Sequence, residues 1–364
     1  MKPYKIGLVG ARRGGGLLGT MAAHPRCEIA ALCDIDPAAL ARLGEHFKLS
    51  DRQLHTDYGS FLASDIDVVV VATPIGFHAQ QSVAAMEAGK HVLSEQTAAY
   101  AVDDCQRIVD TAKRTGKTYM MAENYSFFHC VLEWKKLIDA GRLGKIYHAE
   151  GEYLHEIVDL LIDPATGKRQ WRYPRAPIWY CGHSLGPLLF LMQDRVVKAT
   201  GVTPGRNMYP EHDSVGFLDM ETGLFLTEKG AVIKILASQT VKRYRKNGGY
   251  LTWYSLYGTR GFVESGRDPT NEGLEWLEDT DTPQGGARYV PTPFADPAAP
   301  EAARLGGHGT GEYYMVRHFI DALDQGFRPA FNAVQAAEVT VPGLLAHESA
   351  MKGGVWLDVP RFGW

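Results

Sequence analysis

The 364-residue sequence predicts an α/β chain of two domains, a doubly wound parallel unit over residues 1–122 and an α+β domain over 123–364 with an open, mainly antiparallel sheet. Three observations predict it. Continuous apolar runs such as Val68-Val69-Val70-Val71-Ala72 suit strands buried on both faces, hence a parallel sheet. These runs alternate with amphipathic helical patterns as far as Ala122. After Tyr125 the alternation gives way to successive strand-like stretches spaced as in an antiparallel sheet.

The first strand, Tyr4–Val9, runs into Gly10-Ala11-Arg12-Arg13-Gly14-Gly15-Gly16. Gly10 and Gly15 take the first and third places of a Rossmann dinucleotide-binding fingerprint, with Arg12 in the middle place, and a mere tight turn is the alternative. The second strand, Glu28–Cys33, ends at Asp34. A carboxylate there accepts hydrogen bonds from ribose hydroxyls and repels a 2′-phosphate, so NAD is expected over NADP; capping the helix that starts at Pro37 is the alternative role.

Helices are expected at Pro37–Phe47, His78–Ala88 and Val102–Thr115, with stops at Gly89 and Gly116. Strands are expected at Val68–Ala72, His91–Leu93 and Tyr119–Met121. Thr73, Pro74, His78, Glu95 and Gln96 then fall beyond the carboxyl ends of strands, where open α/β sheets bind ligands. With Gly10, Arg12, Arg13, Gly15 and Asp34 they form the expected cofactor set. His78 also reads as a cap or a satisfied surface histidine.

In the second domain a helix is expected near Val131–Ala140, then strands at Ile146–Tyr153, Val196–Thr203, Val215–Met220, Ala231–Ser238 and Tyr250–Tyr257. Helices return at Tyr313–Leu323 and Ala333–Ala346. The Pro-, Gly-, Asp- and Ala-rich stretch Asp268–Gly307 reads as one long loop. Within Tyr180-Cys181-Gly182-His183-Ser184-Leu185-Gly186-Pro187, Ser184 reads as a helix N-cap and Pro187 as a first-turn residue. His183 then sits at the positive end of a helix dipole, which favours a neutral imidazole able to accept a proton. A core histidine satisfied by a backbone carbonyl is the bland alternative.

With 38 basic and 42 acidic residues the chain has no cationic surplus for nucleic acid. No run approaches the roughly 18 apolar residues of a membrane span. Five cysteines without CxxC spacing argue against a disulfide framework or a zinc ribbon, and no metal is expected. The first strand begins at Tyr4 with no room for a signal sequence, so a cytoplasmic location is expected.

Ala72-Thr73-Pro74 with His78, then Ala88-Gly89-Lys90-His91-Val92 and Glu95, resembles the glucose-fructose oxidoreductase, inositol dehydrogenase and rhizopine catabolism family (Gfo/Idh/MocA), over essentially the whole chain. The resemblance implies NAD in the first domain, a sugar or cyclitol against the second domain's sheet, and a homo-oligomer, dimer or tetramer, formed through that sheet's outer face. Most members carry Glu-Lys-Pro, with the lysine helping to deprotonate the hydroxyl being oxidised; this chain has Glu95-Gln96-Thr97, and Gln96 cannot act as a base.

Met121–Tyr125, Ala149–His155, Tyr180–Pro187 and Gly306-Gly307-His308-Gly309 resemble more closely the NAD-dependent α-N-acetylgalactosaminidase branch, which also lacks the lysine. That resemblance implies Glu95, Tyr125, Tyr180 and His183 as active residues and a redox-neutral glycoside hydrolysis; a conventional NAD-dependent sugar or cyclitol dehydrogenase is the alternative. His155, Trp171, Arg172, Trp179 and His308 are candidate substrate residues, the tryptophans as a wall for a sugar ring or as core. The basic run Lys242–Lys246, with Arg172 and Arg175, suits an anionic substituent on the carbohydrate, or else a solvated hairpin turn.

Overall fold

The computed structural model describes residues 2–12, 14–242, 251–267, 272–281, 285–306 and 308–363. The chain divides into two compact units, residues 1–127 with 295–337 and 362–364, and residues 128–294 with 338–361. A single cut between residues 122 and 123 does not describe this partition, because a late helix returns to the first unit.

In the first unit, β1 (Tyr4–Val9), β2 (Cys27–Cys33), β3 (Leu54–His55), β4 (Val68–Val71), β5 (His91–Glu95) and β6 (Tyr119–Ala122) form a parallel sheet of order β3-β2-β1-β4-β5-β6. The order reverses at β1, which makes the carboxyl ends of β1 and β4 the ligand-binding switch point. Val68 to Val71 are fully buried, as the apolar run demands. Around the sheet lie α1 (Gly15–Ala22), α2 (Pro37–Phe47), α3 (Tyr58–Leu62), α4 (His78–Glu87) and α5 (Val102–Thr115). Asp36 caps α2 by accepting from the Ala38 N–H at 3.0 Å, and Gly116 ends α5 in the left-handed region at φ 66°.

The second unit carries α6 (His129–Asp139), β7 (Ile146–Leu154), α7 (Val158–Leu161), α8 (Gly182–Met192), β8 (Val196–Val202), β9 (Glu221–Thr227), β10 (Val232–Ser238), β11 (Thr252–Gly258), β12 (Gly261–Glu264), β13 (Glu272–Leu277) and β14 (Arg288–Pro291). After α9 (Gly311–Gln325) and α10 (Ala333–Met351), β15 (Leu357–Asp358) completes a nine-stranded sheet of order β14-β13-β12-β11-β7-β10-β9-β8-β15. Among the described residues of this sheet, only β7 and β10 pair in parallel.

Two expectations are corrected here. Val215–Met220 is not a strand: Val215–Phe217 is a 3-10 turn, and Phe217 packs with Tyr173, Ile157 and Leu161 in an apolar cluster. The strand begins at Glu221 instead. Asp268–Gly307 is not one loop, since it contains β13 and β14. Leu274 and Trp276 are partly exposed while Gly273, Glu275 and Leu277 are buried, a period-two pattern that the flanking Pro and Gly obscure.

Among the described residues, no helix is long and apolar enough to cross a membrane.

Candidate active site

In the first unit the turn after β1 is shaped by two glycines. Gly10 has φ 99°, and a Cβ there would meet the Ala72 carbonyl carbon and oxygen at 2.5 Å. The second is Gly14, where a Cβ would collide with Leu8 Cδ1 and approach Ala72 Cβ to 3.0 Å. Gly15, expected in the close-packing place, has room for a Cβ 3.5 Å from Leu43. Gly14 is thus the crowded glycine, and Gly15, in the fingerprint's third place, opens α1, whose first backbone N–H groups suit a pyrophosphate.

Asp34 accepts from the Ala11 N–H at 2.8 Å through Oδ2 and from the Asp36 N–H at 2.9 Å through Oδ1. Each oxygen keeps a lone pair for a ribose hydroxyl, so the site fits an unphosphorylated ribose and NAD. Arg12 is paired to Asp36 at 2.6 Å across the mouth of the turn, and Arg13 lies outside the described residues.

Thr73 Oγ1 donates to Gln81 Oε1 at 2.5 Å, and Pro74 starts the turn into α4. His78 is 1% exposed, with Nε2 2.8 Å from the Thr73 carbonyl and Nδ1 2.8 Å from the Thr97 carbonyl. Burial lowers its pKa, opposed by the carbonyl groups that face both ring nitrogens. Instead of facing a ligand, His78 ties the loop after β4 to the loop after β5.

Glu95 ends β5, level with Ala122 of β6. Gln96 follows it, 3% exposed, and neither amide atom has a hydrogen-bond partner among the described residues. A buried, unsatisfied carboxamide at this sheet edge fits a ligand's polar group.

Beyond β6, the 3-10 turn Asn124–Phe127 carries Tyr125, 6% exposed, whose ring lies 5.7 Å from that of His308. His308 Nδ1 donates to Glu312 Oε1 at 2.7 Å. Glu123, fully buried, accepts from the Tyr125 N–H at 3.2 Å, and burial pushes its carboxyl up to about 8. The sequence showed Glu312 only as the residue four beyond His308, and α9 begins too late for the helical i,i+4 rule to flag the pair.

The second unit gathers another set. The helix carrying His183 starts at Gly182 with Cys181 at its N-cap, three residues earlier than expected, because the 3-10 turn Pro177–Tyr180 leads straight into it. Ser184 Oγ donates back to the Cys181 carbonyl at 3.1 Å and caps nothing. Pro187 lies inside α8 and has no N–H for the His183 carbonyl; the Tyr254 hydroxyl donates to that carbonyl instead. Gly151 of β7 admits α8 closely, since a Cβ there would meet the Ser184 carbonyl at 2.7 Å.

The rings of Tyr180 and His183 cross edge to face at 5.3 Å. Tyr153 of β7 lies 5.2 Å from the His183 ring and 5.8 Å from Tyr180, and its hydroxyl is 2.8 Å from His155 Nδ1. Tyr153 is a residue that sequence reasoning missed, hidden as one more inward position of a strand. Arg175, 4% exposed, stacks over the Tyr180 ring at 4.2 Å and donates to Gln239 Oε1 at 2.9 Å.

The turn bearing Tyr180 is held by Glu221, which accepts from the Ile178 N–H at 2.9 Å and from His347 Nδ1 at 2.7 Å. Trp179 packs edge to face on His347 at 5.3 Å, so it is part of that support. Arg172 stacks on Trp171 at 4.1 Å. Of the basic run only Lys242 is described; residues 243–246 lie outside the described residues.

Residues 4–123 match the family described as an oxidoreductase family with an NAD-binding Rossmann fold. A glycosyl hydrolase family 109 protein of Shewanella pealeana is 27% identical, aligned over 100% of this chain and 86% of the relative. An alpha-N-acetylgalactosaminidase of Shewanella oneidensis is 26% identical over 100% of this chain and 85% of that protein. Among solved structures, an oxidoreductase domain protein from Kribbella flavida superposes with TM-score 0.83 at 21% identity, covering 99% of this chain and 100% of that one. Levoglucosan dehydrogenase with NADH and L-sorbose gives 0.81 at 22% identity, covering 100% of both chains. Residues 4–123 thus carry the NAD-binding Rossmann domain of the Gfo/Idh/MocA oxidoreductase family.

Proposed function

We propose that the protein is an NAD-dependent glycoside hydrolase that works by transient oxidation. Bound at the β1–α1 turn and Asp34, NAD supplies a reversible two-electron acceptor. The glycoside gives up hydride from its third carbon, and the resulting ketone acidifies the proton on the second. A base removes that proton, the glycosidic oxygen leaves the first carbon, water adds, and the hydride returns.

His183 is the main base in this reading. Tyr180 and Tyr153 relay protons, and His155 orients Tyr153 through its 2.8 Å hydrogen bond. Glu95 and Tyr125 serve the sheet edge of the first unit, and Gln96 binds a polar group of cofactor or substrate. The cluster of two histidines and two tyrosines carries the reading, because a redox-neutral route needs acid-base groups for neighbouring carbons. Gln96 in the lysine place supports it by removing the usual base for net dehydrogenation.

Five unbridged cysteines, with the thiols of Cys27, Cys33, Cys105 and Cys130 pushed up to about 12 by burial, suit the reducing cytoplasm. The exposed apolar side chains Tyr147, Leu224 and Val232 on strands of the second sheet suit a homo-oligomeric contact, which light scattering tests directly.

A screen of aryl glycosides with and without NAD⁺ tests the activity. Cleavage that requires NAD⁺ while NADH absorbance stays flat supports it. One NADH formed per substrate makes the protein a conventional sugar dehydrogenase instead.

A further inference from the structure

Beside Tyr180 and His183 the second unit buries a cation that meets no counter-ion. Arg175 is 4% exposed, and burying a charge is strongly unfavourable unless an opposite charge faces it. Its guanidinium stacks over the Tyr180 ring at 4.2 Å and donates from Nη2 to Gln239 Oε1 at 2.9 Å. Nε is buried without a partner, and among the described residues no carboxylate pairs with Arg175. The carboxylates on the segments packed around it are engaged elsewhere. Glu156 accepts from the Val158 N–H at 3.3 Å, Asp219 from the Asn207 and Met208 N–H groups at 2.6 and 3.0 Å, and Glu221 from the Ile178 N–H and His347. A neutral amide and an aromatic face offset only part of the cost of a buried charge.

The guanidinium is also held in place. Gln239, 3% exposed, donates Nε2 to the Arg175 carbonyl and to the Gly216 carbonyl, both at 2.6 Å, which turns its Oε1 toward Nη2. Gly216 is required there, since a Cβ would meet the Tyr173 carbonyl oxygen at 2.0 Å. A planar fork fixed in this way is pre-organised for the two oxygens of an oxyanion. Its place says what the oxyanion belongs to. One face of the Tyr180 ring carries Arg175, while the same ring meets the His183 ring edge to face at 5.3 Å.

We propose that Arg175 is the specificity residue of this site and binds an oxyanion, a carboxylate or sulfonate, carried by the sugar ring of the glycoside. The preferred substrate is then an acidic glycoside, and its charge supplies the counter-ion that the chain withholds. This assignment rests on the redox-neutral reading above, because that reading places the sugar against Tyr180 and His183. Arg175 takes no part in proton or hydride transfer. A neutral sugar leaves the guanidinium buried and unpaired, which is the physical basis for its rejection.

The test uses the full chain with NAD⁺ and nitrophenyl glycosides of glucuronic acid, galacturonic acid, glucose, galactose and a glucose carrying a sulfonate at its sixth carbon. A glucoside with a carboxyphenyl aglycone separates an anion on the sugar from one on the leaving group. For the parent, kcat/KM on the best acidic sugar exceeds that on its neutral counterpart about 100-fold or more, the order expected for a buried charge-assisted pair. For Arg175→Met that ratio collapses to within about threefold of unity, well under the loss of a full pair, and it does so through KM on the acidic sugar. Arg175→Lys keeps the charge without the planar fork and retains an intermediate ratio.

A purely structural role for Arg175 lowers acidic and neutral sugars alike and leaves the ratio unmoved. Should Arg175→Met fail to fold, the parent alone decides, since free glucuronate then inhibits at least about tenfold more tightly than glucose, the step that 1.4 kcal/mol represents. NAD⁺-dependent cleavage without NADH accumulation, but with acidic and neutral sugars handled alike or with the carboxyphenyl glucoside preferred, overturns the proposal and leaves the redox-neutral reading standing. If the parent cleaves no member of the panel, the reading itself fails and the proposal with it.

Discussion

Tyr254 shows how one residue can complete an element that its own sequence leaves unfinished. Pro187 deprives the His183 carbonyl of its helical donor, and the Tyr254 hydroxyl supplies the bond from β11. Tyr254→Phe therefore leaves a buried acceptor unsatisfied and costs about 1–3 kcal/mol, read as a fall in Tm, together with loosening of His183. Gly14→Ala drives a methyl into Leu8 and costs about 1–3 kcal/mol as overpacking, whereas Gly15→Ala, with its Cβ in ordinary contact, costs less; thermal melts of the two variants decide which glycine closes the fingerprint. Asp34 was legible as a carboxylate at the switch point from its place after the second strand, where it accepts the Ala11 and Asp36 N–H groups. Tyr153 was not, because period-two burial does not single out the inward tyrosine that packs against His183. His78 looked like a ligand residue for a similar reason: sequence position put it at the right edge but could not show that two carbonyl groups face its ring.

Elements were legible where the pattern was long and unmixed. Helix α2 coincides with its expected span because Asp36, Pro37 and an amphipathic run agree, and α5 because Gly116 stops it. The start of α8 was misplaced by three residues because a 3-10 turn carries no separate signature, and β13 was lost among Pro and Gly. Two element-level results follow from burial. His91 at the start of β5 accepts the Thr118 N–H at 3.1 Å, and burial lowers its pKa to about 4. The folded state resists protonation there while the unfolded chain does not. Stability is thus lost as pH falls from 6.5 toward 4, and His91→Asn flattens that part of a Tm-against-pH curve. Glu221, 1% exposed, serves both His347 and the Ile178 N–H. Glu221→Leu breaks the pair from one side and costs about 3–5 kcal/mol, measured by denaturant unfolding, with the turn bearing Tyr180 released.

For the whole molecule, the two-domain reading survives with a different partition, since residues 295–337 join the first unit. That return matters for chemistry because it brings His308 and Glu312 to the segment after β6. The sequence supplied the family resemblance and the missing lysine, while the groupings of Glu123 with Tyr125, His308 with Glu312, and Tyr153 with His183 needed the fold, since they join residues far apart in sequence or within unmarked turns. Glu123 also sets a global pH response. Its carboxyl titrates near 8 when folded and 4.5 otherwise, so the folded state holds the extra proton between those values. That contribution is complete below pH 4.5 and lost as pH rises through 8, by up to about 1.4 kcal/mol per pH unit. Glu123→Gln removes this slope, and unfolding curves taken across the range display the difference.

The central claim is that cleavage passes through a ketone which acidifies the neighbouring carbon. Turnover of a cleaved glycoside in deuterium oxide with catalytic NAD⁺, followed by NMR of the released sugar, tests it most directly. The account predicts deuterium at the second carbon with no net NADH. Released sugar that retains only protium there would contradict it.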